Sequence, residues 1–146
     1  MIIDVENTRI AKLGKYLEPI LEELNSKYRK INADFLGIDV NNYSLDKIPT
    51  ASEVETWLTG TKICRDVYSF RSRNAYSSDR LSNLKNIGFF EEFESIIKSN
   101  NDEGILPEIK GIEKIECLNC GTFNNADASG KTAVFDIQLQ IVYRED

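Results

Sequence analysis

The cysteines are the first residues in this sequence whose type and spacing could support chemistry. Cys117 and Cys120 have the spacing of metal-binding and redox pairs, and Cys64 could add a third ligand. A structural zinc site needs four ligands, but the sequence contains no histidine and no second cysteine pair. A thioredoxin-type pair opens a helix after a strand, whereas this pair falls late in a predicted strand. We therefore predict two ordinary strand residues here, with no metal and no cofactor.

A second candidate is the segment Ser129–Thr132, which reads Ser-Gly-Lys-Thr like the end of a phosphate-binding loop. The complete motif requires a glycine five positions before Gly130, where this sequence has Asn125. The motif also leads into a helix, whereas Thr132 begins a predicted strand. The pattern favours the turn of a hairpin over a nucleotide site.

Acidic residues are plentiful, but their spacing selects no pair that would suit a glycosidase or a magnesium site. They are Asp34, Asp39, Asp46, Glu91, Glu92, Glu94 and Asp127. The absence of histidine also removes the commonest general base. We interpret the carboxylates as solvated charge and predict that the protein is not an enzyme. A small cysteine- or carboxylate-dependent enzyme is the alternative from another class.

Four arginines lie close together in an otherwise acidic chain: Arg65, Arg71, Arg73 and Arg80. Guanidinium groups bind carboxylates through two parallel hydrogen bonds, so such a cluster suits acidic groups of a partner or a neighbouring subunit. We predict that Arg71, Arg73, Tyr76 and Arg80 form a contact with a partner or a neighbouring subunit. Ordinary balance of surface charge is the alternative.

Composition and charge limit the function classes further. A chain of 146 residues with 41% apolar residues fits one domain, residues 1–146, with a substantial core. The net charge of −6 argues against nonspecific binding to nucleic acid or to an anionic membrane surface. No apolar run approaches the roughly 20 residues that span a bilayer, and no signal peptide is visible. These features predict a soluble protein of a reducing, cytoplasmic compartment.

The central element of the prediction is a long strand over residues 61–73, followed by a turn and a helical, aromatic-rich stretch. Even-numbered side chains from Lys62 to Ser72 take one face of this strand, and odd-numbered ones take the other. Leu81, Leu84 and Ile87 then recur at helical spacing. Gly88 predicts a left-handed end to that helix, after which Phe89 to Ile97 form a second helical piece. The three phenylalanines of that piece, Phe89, Phe90 and Phe93, must cover a sheet or another chain.

The flanking segments complete an α+β pattern. We predict a helix over residues 4–28 that kinks or restarts near Glu18 because of Pro19, and a strand over 31–40 with a bulge at Gly37. We further predict a short strand over 43–48, an ambiguous strand or helical turn within 50–60, and a polar loop at 100–104. Two antiparallel strands, 112–123 and 132–144, form a C-terminal hairpin. The fold class is therefore α+β, with an antiparallel (mixed) sheet of about four to five strands and helices packed on one face.

Several segments together resemble a known protein family. They are Phe70-Arg-Ser-Arg-Asn-Ala-Tyr76, Ser78-Asp79, Asn86-Ile-Gly-Phe-Phe-Glu-Glu-Phe93, the Gly104-Ile-Leu-Pro107 loop, the Tyr43–Pro49 segment and the closing strand from Thr132 to Tyr143. This combination resembles the tail terminator, or tail completion (minor capsid), proteins of phages that infect Gram-positive bacteria. The resemblance extends over most of the chain from about Ile31 onward.

The resemblance implies a structural virion protein with an α+β fold. Such proteins assemble with copies of themselves into a ring, expected to be a hexamer, on the head-proximal end of the tail tube. They end polymerisation of the tube and provide the surface on which the head-connector protein docks. The implied partners are the tail tube protein, the head-connector protein and, in a contractile tail, the tail sheath. DNA only passes through the lumen, and the implied location is the virion or a tail-like particle.

Two other readings remain open at this point. Another head–tail joining component, such as a stopper or adaptor, would share the location but act in a different step. A host-encoded binding module could share the α+β pattern without any role in a particle.

Overall fold

The computed structural model describes residues 2–25, 30–37, 40–75, 80–126 and 132–146, and the structural statements below concern these residues. They form a short 3-10 helix (Val5–Asn7), helices α1 (Arg9–Leu24) and α2 (Arg80–Glu103), and strands β1 (Lys30–Ala33), β2 (Asn42–Ile48), β3 (Glu53–Thr56), β4 (Lys62–Ala75), β5 (Ile112–Cys117), β6 (Thr122–Ala126) and β7 (Thr132–Glu145).

All of the described strands belong to one sheet. Its main path runs β1-β2-β4-β7-β5; β3 pairs with β4 beyond the end of β2, and β6 pairs with β7 beyond the end of β5. The β1–β2 pair is parallel and the other pairs are antiparallel. The predicted α+β class with a mixed sheet is therefore confirmed.

The two long central strands define the sheet. β4 and β7 pair over fourteen residues each, from Lys62 opposite Glu145 to Ala75 opposite Thr132. Successive side chains of a strand point to opposite faces of the sheet. Because the register is unbroken, every second residue of β4 lies on the same face as every second residue of β7. The predicted inward set of the last strand is buried throughout: Ala133, Phe135, Ile137, Leu139, Ile141 and Tyr143. The period of two in the sequence thus correctly predicted the inner face.

Both helices bury their apolar residues against that same face. The buried residues of α1 are Leu13, Leu17, Ile20 and Leu21, and α2 adds Phe90, Phe93 and Ile97. All seven belong to one hydrophobic cluster with the inward side chains of β2, β4, β5 and β7. The helices therefore lie on one side of the sheet, as predicted.

Helix α2 corrects the prediction around Gly88. It continues through Gly88 to Glu103, so the predicted helix end at Gly88 and the predicted polar loop at residues 100–104 are both wrong. The left-handed glycine is Gly104, with φ of 75°. There the amide of Ile105 donates to the carbonyl of Asn100 (2.8 Å) and that of Gly104 to Asn101 (3.2 Å). This bond pair closes a helix when its last residue is followed by a left-handed glycine.

Gly88 within α2 and Gly104 directly after it give a matched test of this assignment. Replacing Gly88 with alanine should raise the free energy of unfolding by about 1 kcal/mol, because alanine loses less backbone entropy within a helix. A Cβ at Gly88 would meet no atom within 4 Å. Urea denaturation of the variant measures the change.

Gly104→Ala is the control, since a Cβ there also meets nothing within 4 Å. Only the positive φ distinguishes the two sites, and it should make this variant less stable by about 1–2 kcal/mol. A destabilising Gly88→Ala would contradict a continuous helix.

Three other predicted boundaries also change. The predicted restart of the helix near Glu18 is wrong, because α1 runs from Arg9 to Leu24 as one helix with Pro19 inside it. A kink at this position stays a prediction. Proline removes one backbone donor, but the buried leucines and isoleucine on both sides of it hold the helix on the core. The predicted strand over 31–40 ends at Ala33, because Asp34 adopts a left-handed conformation with φ of 54°. Ile38 and Asp39 lie outside the described residues.

The first strand of the predicted C-terminal hairpin is also interrupted, between β5 and β6. The side chain of Asn119 accepts a hydrogen bond from the amide of Gln138 (2.8 Å), where a strand neighbour would otherwise bond. Gly121 lies so close to the ring of Phe90 that any Cβ there would overlap it. The chain bends toward α2 at this point, and the strand resumes at Thr122. The ambiguous segment 50–60 contains a strand, β3, and a turn at Gly60.

Candidate functional site

The sheet face that points away from the helices is the surface on which the predicted arginines lie. We call it the open face. Its residues are register partners on three adjacent strands, and their side chains point to the same side of the sheet. They are Ser44, Asp46 and Ile48 of β2, Arg65, Val67, Ser69, Arg71 and Arg73 of β4, and Val134, Asp136, Gln138, Gln140 and Val142 of β7. Most of these side chains are half-buried and polar. No described helix packs on this face.

Arg71 and Arg73 lie on the open face as predicted, and both have partners within the chain. Arg71 forms an ion pair with Asp46 of β2 and lies opposite Asp136 of β7. Arg73 donates from Nε to the carbonyl oxygen of Gly37 at 2.7 Å. These contacts tie the central strand to β2 and to the segment before it. The structure therefore brings Arg71 and Arg73 to one surface, and their role in a subunit contact stays a prediction.

The other two residues of the predicted contact are not placed as fully. Tyr76 lies outside the described residues. Arg80 is the first residue of α2, but the described part of the chain does not include its side chain.

A buried aspartate on the opposite, inner face was not recognised from the sequence. Asp66 lies at the middle of the sheet on β4, and only 1% of its side chain is exposed. Its Oδ2 accepts from Nε of Arg9 at 2.6 Å and from the hydroxyl of Tyr68 at 3.1 Å. Its Oδ1 accepts from the hydroxyl of Tyr143 at 3.4 Å and lies 3.7 Å from Nζ of Lys47. We call these five residues the Asp66 cluster.

The signal that could have revealed Asp66 is its register. It shares a strand face with Cys64, Tyr68 and Phe70, which are buried, so a carboxylate in this row must be paired. Tyr68 lies two residues along the same strand, but the other partners come from α1, β2 and β7, far away in sequence. Their pairing with Asp66 could not be deduced from spacing.

The pKa values of Arg9, Tyr68 and Tyr143 are raised within the Asp66 cluster. Burial alone would lower the pKa of Arg9, but its hydrogen bond to Asp66 and the charge of that carboxylate raise it overall. Burial, and then the charge of Asp66, raise the pKa of Tyr143 to about 12. The same two causes raise the pKa of Tyr68. Both tyrosine hydroxyls are therefore protonated at neutral pH, and both donate hydrogen bonds to Asp66.

This geometry determines what the cluster can do chemically. A general base needs a carboxylate with free lone pairs or a phenol of lowered pKa. Asp66 already faces four donors, and the phenols are shifted in the opposite direction. A cleft of about 640 Å³ lies beside the cluster and is lined by Arg9 and Tyr143, while Asp66 does not line it. We interpret the cluster as a tie that joins the start of α1 to three strands.

The raised tyrosine pKa values predict a loss of stability in alkali. Unfolded tyrosines titrate near pH 10, so between about pH 10 and 12 the native state retains protons that the unfolded chain has released. The free energy of unfolding should therefore be independent of this effect below about pH 9. It should then fall by about 1.4 kcal/mol per pH unit for each proton retained. Urea denaturation at pH 7, 9, 10, 11 and 12 measures the profile.

Tyr143→Phe is the control for this profile, because phenylalanine keeps the ring and removes the ionisable hydroxyl. The variant should start from a lower stability at pH 7 and lose less of it between pH 10 and 12. A wild-type profile that stays flat to pH 12 would contradict the assignment.

Cys64 does not join Cys117 and Cys120. Cys117 lies on β5 opposite Leu139 and Cys64 on β4 opposite Tyr143, two strands and four residues apart, or about 16 Å. Burial, and then the charge of Glu94, raise the pKa of Cys117 to about 12, which opposes thiolate formation. Cys120 is exposed. Among the described residues, no group of three or more cysteine, aspartate or glutamate side chains could hold a metal ion. Of the predicted Ser129–Thr132 turn, only Thr132 is described, as the start of β7.

Comparisons with known proteins add no family assignment. No protein-family model matches the sequence, and no curated protein matches it either. Within the described part of the chain, neither helix combines the length and apolar character needed to cross a bilayer.

Proposed function

We propose that this chain is a phage tail terminator. In this role it forms a ring, which we take to be a hexamer, at the head-proximal end of the tail tube. The ring ends polymerisation of the tube and, in a contractile tail, meets the last sheath ring. It also presents the docking surface for the head connector, while DNA passes through its lumen. Its location would be the virion or a tail-like particle.

The observation that carries the proposal is the two-sided sheet built on β4 and β7. One face is buried under both helices, and the other is a broad, mostly polar surface without a described helix on it. Interfaces between subunits that fold before they associate are about as polar as the rest of the protein surface. A subunit that acts by stacking with its own copies needs a rigid wall of this kind. The family resemblance of the sequence supplies the identity of the ring.

Charge supports the same function. A ring through which DNA passes should not bind phosphate, and the net charge of −6 disfavours such binding. Arg71, the most central arginine of the open face, is neutralised by Asp46 within the chain. The three arginines of the open face are therefore largely offset by its two aspartates, Asp46 and Asp136.

The first experiment locates the chain in purified particles by immunogold labelling. We expect labels only at the junction between tube and head. Their absence from the junction would overturn the proposal.

The second experiment deletes the gene and measures tail length. Without a terminator, tubes should exceed their normal length and carry no heads. A stopper or adaptor would give the same location but normal-length, headless tails, so tail length separates the two functions. The wild-type gene supplied in trans is the control and should restore normal length.

A further inference from the structure

The hairpin of β3 and β4 exposes an unusual amount of apolar surface at its tip. Val54 is 57% exposed, Trp57 is 41% exposed and Leu58 is fully exposed. The turn itself is well formed, since the amide of Trp57 donates to the carbonyl of Thr61 at 2.8 Å. Arg144 stacks over one side of the Trp57 ring at 5.1 Å, so the turn presents these side chains in a defined orientation. Large apolar groups in a well-formed turn suit an interface. We call residues 53–58 the hairpin tip.

An apolar cleft lies elsewhere on the chain, between α1 and the segment that follows α2. Its volume is about 300 Å³, roughly that of ten water molecules, which suits one or two inserted side chains. Its walls come from Tyr16, Pro19, Ile20, Ile105, Leu106 and Pro107. We call it the α1 cleft.

The tyrosine hydroxyl in the wall of the α1 cleft is already satisfied. The hydroxyl of Tyr16 donates to the carbonyl of Ile105 at 2.9 Å and accepts from Nδ2 of Asn100 at 3.1 Å. Ile105 itself is 50% exposed beside the cleft. The remaining surface therefore favours an apolar occupant over one that needs hydrogen bonds.

The charges around the two surfaces are complementary. Lys12 and Lys15 line the α1 cleft, and neither forms an ion pair within the described residues. On the hairpin tip, Glu55 also has no ion pair in that part of the chain, while Glu53 pairs with Lys62 at 3.5 Å. The cleft carries one acid, Glu108, so its own charge sums to +1 from two lysines and one glutamate. An acidic, apolar hairpin fits a basic, apolar cleft.

We propose that the hairpin tip of one copy inserts Leu58 and Trp57 into the α1 cleft of the next copy. The hairpin tip and the α1 cleft are different surfaces of one chain, so the contact is head-to-tail, and repetition of such a contact closes a ring when the rotation closes. The inference rests on the proposed ring and names its contact. A cleft of this size accommodates only the centre of a stable interface, so further contacts must surround it.

Disulfide trapping tests the contact directly. In a Cys120→Ser background, which removes the exposed one of the three native thiols, we combine Leu58→Cys with Ile105→Cys. The double variant is oxidised both as concentrated purified protein and in assembled particles. We expect a ladder of linked subunits up to the ring number. A mixture of the two single variants should give linked dimers, and each alone should give none.

Binding measurements provide a second test that does not need new cysteines. Leu58→Ala should weaken self-association, followed by sedimentation, by about 30-fold, as expected for a hot-spot side chain. Glu55→Lys should also weaken it, and Lys15→Glu should restore association to that variant. Leu118→Ala, which truncates a leucine that is 45% exposed and lies outside both surfaces, is the control and should change nothing.

The outcomes separate this inference from the proposed function. Absence of linked subunits in both preparations, with Leu58→Ala associating like wild type, would overturn the contact even if the chain is found at the tube–head junction. Linked subunits together with absence from the junction would support the contact and overturn the terminator function.

Discussion

Asp66→Ala should lower the free energy of unfolding by about 2–5 kcal/mol, because each buried hydroxyl left without a partner costs about 1–3 kcal/mol. The substitution leaves the hydroxyls of Tyr68 and Tyr143, both buried, without the acceptor that now binds them. It also releases Arg9, the first residue of α1, from its 2.6 Å contact. Arg9 is 39% exposed, so water replaces part of its lost contact. Guanidinium denaturation with a fixed m-value measures the loss.

Asp46→Ala is the matched control for this prediction. Asp46 is also a strand aspartate that binds an arginine and a hydroxyl, through Arg71 and Ser44. Its side chain is 23% exposed, compared with 1% for Asp66, so water can replace part of what is lost. We expect a loss of about 1 kcal/mol or less. Equal losses at the two positions would contradict the role of burial, and Asp66→Asn should fall between them.

Phe93→Ala should cost a similar amount, about 3–5 kcal/mol, for a different reason. Phe93 is fully buried, and its ring stacks on Phe70 of β4 with centroids 5.2 Å apart. Phe70 in turn stacks on Tyr43 of β2 at 5.4 Å. Deletion of the Phe93 ring leaves a cavity between α2 and the sheet and removes one member of this aromatic stack, and stacking adds about 0.5–1.5 kcal/mol. Thermal and urea denaturation measure the change.

Leu84→Ala in the same helix is the control. Leu84 is 44% exposed, so its truncation creates no cavity and should change the free energy of unfolding by about 0.5 kcal/mol or less. If Leu84→Ala proved as costly as Phe93→Ala, the face that α2 turns toward the sheet would be wrong.

The candidate site could be predicted only in part, because it combines residues from distant segments. Arg71 and Arg73 share a face because they are two residues apart on one strand, and that placement follows from the sequence. Their partners, Asp46 and the carbonyl of Gly37, depend on the pairing of β2 with β4. Asp66 was missed for the same reason.

The sequence by itself determined the features that depend on neighbouring residues. Its period of two specified the inner faces of β4 and β7, and its runs of aromatic and branched residues specified the α+β class. A face is a local property, since it needs only the alternation of side chains along one strand.

Only the tertiary structure decided where these elements stop and what a buried polar group binds. Gly88 remains helical because burial of Phe90 and Phe93 outweighs the cost of a glycine inside a helix, about 1 kcal/mol. The helix therefore continues to Gly104, whose positive φ ends it. The break after β5 depends on the side chain of Asn119 and the close approach of Gly121 to Phe90. Each of these outcomes depends on the free energy of contacts between segments that are far apart in the chain. The spacing of residues within one segment carries no information on those contacts.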